Sequence, residues 1–159
     1  MPAFITIGRV LFAVLFIVSG AFKLLDIAGT TQMIADKVVI PGLLTQYTTE
    51  LEGMSGMPMP QMLAIAVGVL EVICGLMIAL NFGAGFFAIV LIIFVVTATF
   101  YYHDFWNQTG AEQKNNMIHA LKNLSLVGAL CIIAGIGRGR RVNEPSYTTS
   151  RRRAAMGSR

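Results

Sequence analysis

The chain has 159 residues, of which 55% are hydrophobic and only 13% charged, about half the charged fraction of a soluble domain. That excludes an ordinary water-soluble fold and leaves room for one integral membrane domain, with no second large one. The formal charge of +4 does not point to nucleic acid, because it is localised: residues 138–159 carry seven arginines and one acid, Glu144, whereas the first 137 residues carry five bases and seven acids.

In chain order, the first apolar stretch covers residues 4–25. It lacks a basic start, Arg9 interrupts it, and it is longer than the roughly 7–15 residues of a signal-peptide core, so it is read as a retained helix. Residues 26–59 follow. A connection this long is rarely structureless in a small domain, and short interfacial helices are expected at 27–39, stopped before Pro41 and Gly42, and at 43–51. The second, third and fourth apolar stretches cover 60–80, 84–102 and 116–136. Each is near the ~20 residues that cross a bilayer as a helix, and strands are excluded because backbone groups in lipid must be satisfied internally. Only Asn81, Phe82 and Gly83 separate the second stretch from the third, which predicts a tight antiparallel hairpin. The expected fold is an all-α, integral membrane four-transmembrane-helix bundle over residues 1–137. Residues 138–159, rich in Arg, Ser and Thr, form a basic disordered cytoplasmic tail in this reading.

Arg138, Arg140 and Arg141 directly follow the fourth stretch. Basic residues beside a span stay cytoplasmic, so the C-terminus is expected inside, and four spans return the N-terminus to the same side. Residues 26–59 then face outward, with Asp26, Asp36, Glu50 and Glu52 against Lys37. Tyr101, Tyr102 and Trp106 would mark the outer interface.

Charges within the spans are the next signal, since one at the bilayer centre costs roughly 2.5–3.5 kcal/mol. Arg9 and Lys23 share a helical face with Ala13, Phe16 and Gly20. Glu71 lies near the middle of the second span, and Gly68 and Gly75 share its face, which turns it inward. Antiparallel helices would bring Arg9 and Glu71 to similar depth, so Arg9 is the expected partner. A structural ion pair is the preferred reading. The alternative is a proton relay, because desolvation favours the neutral carboxyl.

On the fourth span Asn116, His119, Lys122 and Asn123 share one face. On the third, Thr99, Tyr102, His103 and Trp106 do. Lys23, His103, His119, Lys122 and Asn123 are therefore expected near the outer surface as one ligand-binding group. Imidazole and ammonium groups there could hold an anion or a polar head group, or exchange protons with a quinone carbonyl. The plainer alternative is ordinary interfacial polarity. Met54, Met57, Met59 and Met62 precede or open the second span. Thioethers suit Cu(I), but methionine standing in for leucine is preferred, and no metal site is assigned. Cys74 and Cys131 lie alone without a C-x-x-C, which supports neither a disulfide nor zinc; both are read as buried small hydrophobes.

These residues also carry a resemblance. Gly8-Arg9, Ser19-Gly20 and Lys23-Leu24 in the first span are followed by Asp26, Gly29 and a Pro41 turn. Next come Pro58 and Pro60 with Glu71 and Gly75, then His103-Asp104-Phe105-Trp106. Asn116 and Leu121-Lys122-Asn123-Leu124 complete the set. In this order, over residues 4–136, the chain resembles the DoxX family of small four-helix membrane proteins. The resemblance implies a multi-pass protein of the bacterial inner membrane. It also implies, for some members, a place in redox systems: the family name is shared with a component of a thiosulfate:quinone oxidoreductase, and other members are linked to thiol and oxidative-stress handling.

The leading expectation is a subunit of a membrane redox system with a quinone or small polar ligand pocket near the outer face. Quinone is the cofactor considered, and no intrinsic redox centre is evident, so whether the chain is itself an enzyme stays open. The expected partners are membrane lipids and a redox or thiol-handling protein, with homo-oligomers compatible and nucleic acid excluded. The alternative is a non-enzymatic scaffold or assembly factor, with Gly68 and Gly75 on the partner face. A small-solute transporter ranks third, since no internal repeat or broken-helix pair is evident.

Overall fold

The computed structural model describes residues 2–137, and among them it is helical throughout, with turns and short connections. The elements are α1 (Pro2–Leu25), α2 (Ile27–Lys37), α3 (Thr45–Ser55), α4 (Met59–Ala79), α5 (Ala84–Tyr102) and α6 (Gly110–Gly137), with 3-10 turns at Gly42–Leu44 and Phe105–Asn107. Four of them, α1, α4, α5 and α6, are long and apolar enough to cross a membrane. Their outer faces carry large apolar side chains: Leu11, Leu124 and Ile132 are each at least 65% exposed. A water-soluble surface would not concentrate them so. The expected all-α four-span bundle is therefore present. The expected basic tail, 138–159, lies outside the described residues.

Local chemistry sets the helix limits. Asp26 separates α1 from α2, and its Oδ1 accepts the Gly29 N–H at 2.9 Å, capping α2. α3 ends at Gly56 in the left-handed conformation, φ +69°. α4 begins behind Pro58, and Glu52 Oε1 accepts the Met59 N–H at 2.6 Å, an acid at a helix N-terminus. Asn81 (φ +58°) and Gly83 (φ +57°) make the α4–α5 turn; asparagine and glycine are the residues that tolerate this region.

The boundaries of α3 and α6 differ most from expectation, α3 also running on to Ser55. α3 starts at Thr45 because Gly42–Leu44 first forms a 3-10 turn. α6 starts at Gly110, not 116. Its 28 residues make it about 42 Å long, more than the ~30 Å hydrocarbon core, so its polar first turns project beyond the apolar layer.

α1 packs along α4, α5 along α6, α4 joins the two pairs through α5, and α2 lies across α4. Small residues set the α1–α4 distance. A Cβ on Gly20 would lie 2.6 Å from the Gly68 carbonyl oxygen and 2.8 Å from Glu71 Cβ. A Cβ on Gly75 would lie 2.7 Å from Ile17 Cγ1. Gly68 and Gly75 thus pack α4 against α1 inside the bundle, on the inward face expected for them, so they are not available to a protein partner there. The apolar core, including Ala13, Phe16, Cys74, Ile78, Ala88 and Leu91, fills the half nearer the α4–α5 hairpin. Cys74 belongs to it, but Cys131 is exposed on α6, contrary to its reading as buried.

Candidate functional site

The other half of the bundle is hollow. A cavity of about 930 Å³ lies between α1, α4, α5 and α6, walled on one side by α2. Lys23, His103, His119, Lys122 and Asn123 all line it, and so does Glu71. Four different segments deliver these side chains: α1, α4, the end of α5 and α6. Most of the remaining wall is aliphatic or aromatic, including Phe94, Tyr101 and Tyr102.

Glu71 lies at the deep end, its side chain 2% exposed. Lys23 Nζ stands 3.0 Å from Oε1 and donates to Oε2 at 3.0 Å, and it also donates to Ser19 Oγ at 2.7 Å. The expected Arg9–Glu71 pair is not formed. Gly20 lies against Glu71, and Arg9 is eleven residues earlier on α1, about 16 Å along the axis. Arg9 reaches the hairpin turn instead, where Nη1 donates to Asn81 Oδ1 at 2.7 Å. Lys23 takes Glu71 because helical side chains lean back toward the N-terminus, which brings its ammonium down to the carboxylate. Ser19, four residues before Lys23, shares its face; that i, i+4 spacing was the signal for it.

α2 closes the wall beside the pair with buried Thr30 and Ile34. The Thr30 hydroxyl donates to the Asp26 carbonyl at 2.9 Å, and its oxygen lies 3.4 Å from the Lys23 carbonyl. Thr30 was missed because a lone threonine on a short helix carries no charge signal.

The mouth holds the imidazoles. The rings of His103 and His119 stack with centroids 5.0 Å apart and planes 10° from parallel. His103 Nδ1 and Asn116 Oδ1 are 3.0 Å apart. Asn116 Nδ2 donates to Gln108 Oε1 at 2.6 Å, and Gln108 Nε2 donates to Asp104 Oδ1 at 3.0 Å. With the His103 proton on Nδ1, every donor in this chain points toward the Asp104 carboxylate. Such a chain polarises its members and leaves His103 Nε2 as an acceptor. Asn123 Nδ2 donates to Thr99 Oγ1 at 2.9 Å, tying α6 to α5. Lys122 makes no hydrogen bond or ion pair among the described residues and is the one cation of the group left available to a ligand.

Trp106 departs from the expected shared face. α5 stops at Tyr102 and His103 breaks the helix at φ −127°, ψ 49°. Trp106 then sits in a 3-10 turn against Phe100 and Phe105, ring centroids 5.6 and 5.2 Å away.

The arrangement can bind an amphiphile. Its polar groups are the Lys23–Glu71 pair at the deep end and the Lys122 ammonium and imidazoles toward the mouth, while its walls suit a ring or chain. No group of three or more His, Cys, Asp and Glu side chains disposed to hold a metal occurs among the described residues.

Comparison with known proteins adds three findings. The DoxX family model matches residues 4–104, which spans α1 to the His103 break. The inner membrane protein YphA of Escherichia coli (strain K12) is 29% identical over 138 residues, covering 87% of this chain and 86% of that protein. No solved structure matches the chain significantly.

Proposed function

The chain belongs to the DoxX family, and from that premise we propose that it is a membrane-embedded ligand-binding subunit of a redox system, taking a quinone-like molecule in the large cavity. The observation that carries the reading is the convergence of Lys23, Glu71, His103, His119, Lys122 and Asn123 on one cavity with otherwise mostly apolar walls. Ligand sites are commonly of this kind, apolar with a few placed polar groups. A quinone offers two carbonyl acceptors on a flat ring. Lys122 and a His119 N–H would donate to one, the ring would lie among Phe94, Tyr101 and Tyr102, and the isoprenoid tail would leave along the apolar wall. The Lys23–Glu71 pair braces the deep end. A redox or thiol-handling partner protein supplies the electrons.

The membrane is the inner membrane in this reading, as the name of the E. coli relative suggests. The cavity half faces outward, with both termini cytoplasmic, because Arg138, Arg140 and Arg141 follow α6.

The test is extraction of the full chain in mild detergent, quinone analysis by mass spectrometry, and titration with a short-chain ubiquinone. Saturating a single site at 100 times Kd should stabilise the protein by about 2.7 kcal/mol. Lys122→Gln should weaken the titration at unchanged thermal stability of the unliganded protein. Protein that carries no quinone and gains no stability from added quinone refutes the reading.

A further inference from the structure

A second cavity, of about 250 Å³, lies at the hairpin end between α1 and α6. Its walls are aliphatic and aromatic, with Ile5, Phe12, Ile132 and Ile136, and its polar rim is Arg9 with Asn81. The left-handed turn at Asn81 presents its side-chain oxygen to Arg9 Nη1. A guanidinium has five N–H donors in a planar fork. Here Nε is buried with no hydrogen-bond partner, an arrangement that is costly unless an acceptor arrives.

No described carboxylate lies at this end: Asp26, Asp36, Glu50, Glu52, Asp104 and Glu112 belong to the opposite end, and Glu71 is engaged by Lys23. The level of Arg9 is also specific. It lies about 16 Å along α1 from the level of Glu71, close to the ~15 Å half-thickness of the hydrocarbon layer. At that depth acyl chains meet phosphates. Beside Arg9, a Cβ on Gly8 would meet nothing within 4 Å, so the groove between α1 and α6 is open.

We propose that this cleft is a phospholipid site. The Arg9 fork takes the phosphate oxygens, and one acyl chain lies between α1 and α6 against Ile5, Phe12 and Ile132. Arginine matches phosphate geometry through parallel N–H donors, and the apolar groove supplies what a free anion could not use. The site is independent of the ligand in the larger cavity.

The test uses the full chain, delipidated in mild detergent, with three probes: phosphatidylglycerol, the diacylglycerol with the same chains, and glycerol phosphate. Native mass spectrometry reads retention and a melting curve reads stability. Phosphatidylglycerol alone should remain bound and raise Tm. Arg9→Met should weaken it by roughly tenfold or more, the loss expected for a charged hydrogen-bond donor. Gly8→Leu should fill the groove and weaken it comparably while the Arg9–Asn81 bond remains; because a side chain there enters open space, this variant carries the test if Arg9→Met fails to fold. Equal stabilisation by diacylglycerol, equal stabilisation by glycerol phosphate, or wild-type retention by both variants would each overturn the proposal.

Discussion

Breaking the Lys23–Glu71 pair gives the sharpest test of the helix register. Lys23→Met leaves a carboxylate whose side chain is 2% exposed without its cation. Removing one partner of a buried pair costs about 3–5 kcal/mol. Glu71→Gln should cost less, about 1–3 kcal/mol, because Lys23 is 29% exposed and keeps Ser19 Oγ at 2.7 Å. The double variant removes both charges and should be far less damaged than the two losses added, with a coupling of about 2 kcal/mol. A control cycle of Arg9→Met with Glu71→Gln should be additive within ~0.5 kcal/mol, since those residues are well separated. The assay is reversible unfolding in mixed micelles with increasing dodecyl sulfate, followed by helical circular dichroism. Additivity for Lys23 with Glu71, together with coupling for Arg9 with Glu71, would refute the register.

The remaining predictions concern packing and the α5–α6 clamp. Gly20→Ala must push α1 from α4, because its Cβ would meet backbone at 2.6 Å; a loss of about 1–3 kcal/mol is expected, measured by the same unfolding curves. Gly128→Ala meets nothing within 4 Å and should instead stabilise by roughly 0.5–1 kcal/mol. Asn123→Ala with Thr99→Val should show a coupling near ~0.6 kcal/mol, the average for interhelical hydrogen bonds in a membrane protein. Asn81→Gly should relieve the left-handed turn yet free Arg9, so that its melting temperature, but not that of Asn81→Ala, stays near wild type.

The spans were legible because length and hydropathy alone decide them, and the hairpin because only three residues separate two apolar runs. The shared surface of His119, Lys122 and Asn123 was legible as well, since with Asn116 they repeat at helical spacing. Register was not. Judging depth from the ends of apolar runs placed Arg9 beside Glu71, whereas the close approach of Gly20 to Gly68 and Glu71 sets the actual alignment. A contact between two glycine faces cannot be read from either helix alone. Extrapolating the α5 face to Trp106 failed for another reason: the helix ends where polar backbone and side-chain partners become available, and His103 takes Asn116. Gln108 and Asp104 sit in a short connection without periodicity, so nothing in their spacing announced the chain of hydrogen bonds they complete.

The asymmetry of the bundle bears on what Glu71 does. A proton path through the membrane would have to continue from Glu71 toward the hairpin, where Arg9 and Asn81 offer the next polar groups. Between them lie Cys74, Ile78, Ala13 and Leu91, all buried and packed against one another. That interval is about 16 Å, too long for a single proton hop, and apart from the Cys74 thiol it is filled with hydrocarbon side chains. Toward the other end the polar groups share one cavity wall: Lys23, Thr30, Asn123, Lys122 and the stacked imidazoles. Glu71 therefore stands at the deep end of a polar recess, and the packed core separates it from Arg9. A carboxylate in that position holds an ammonium in place, and the ammonium in turn fixes the deep boundary of the space a ligand can enter.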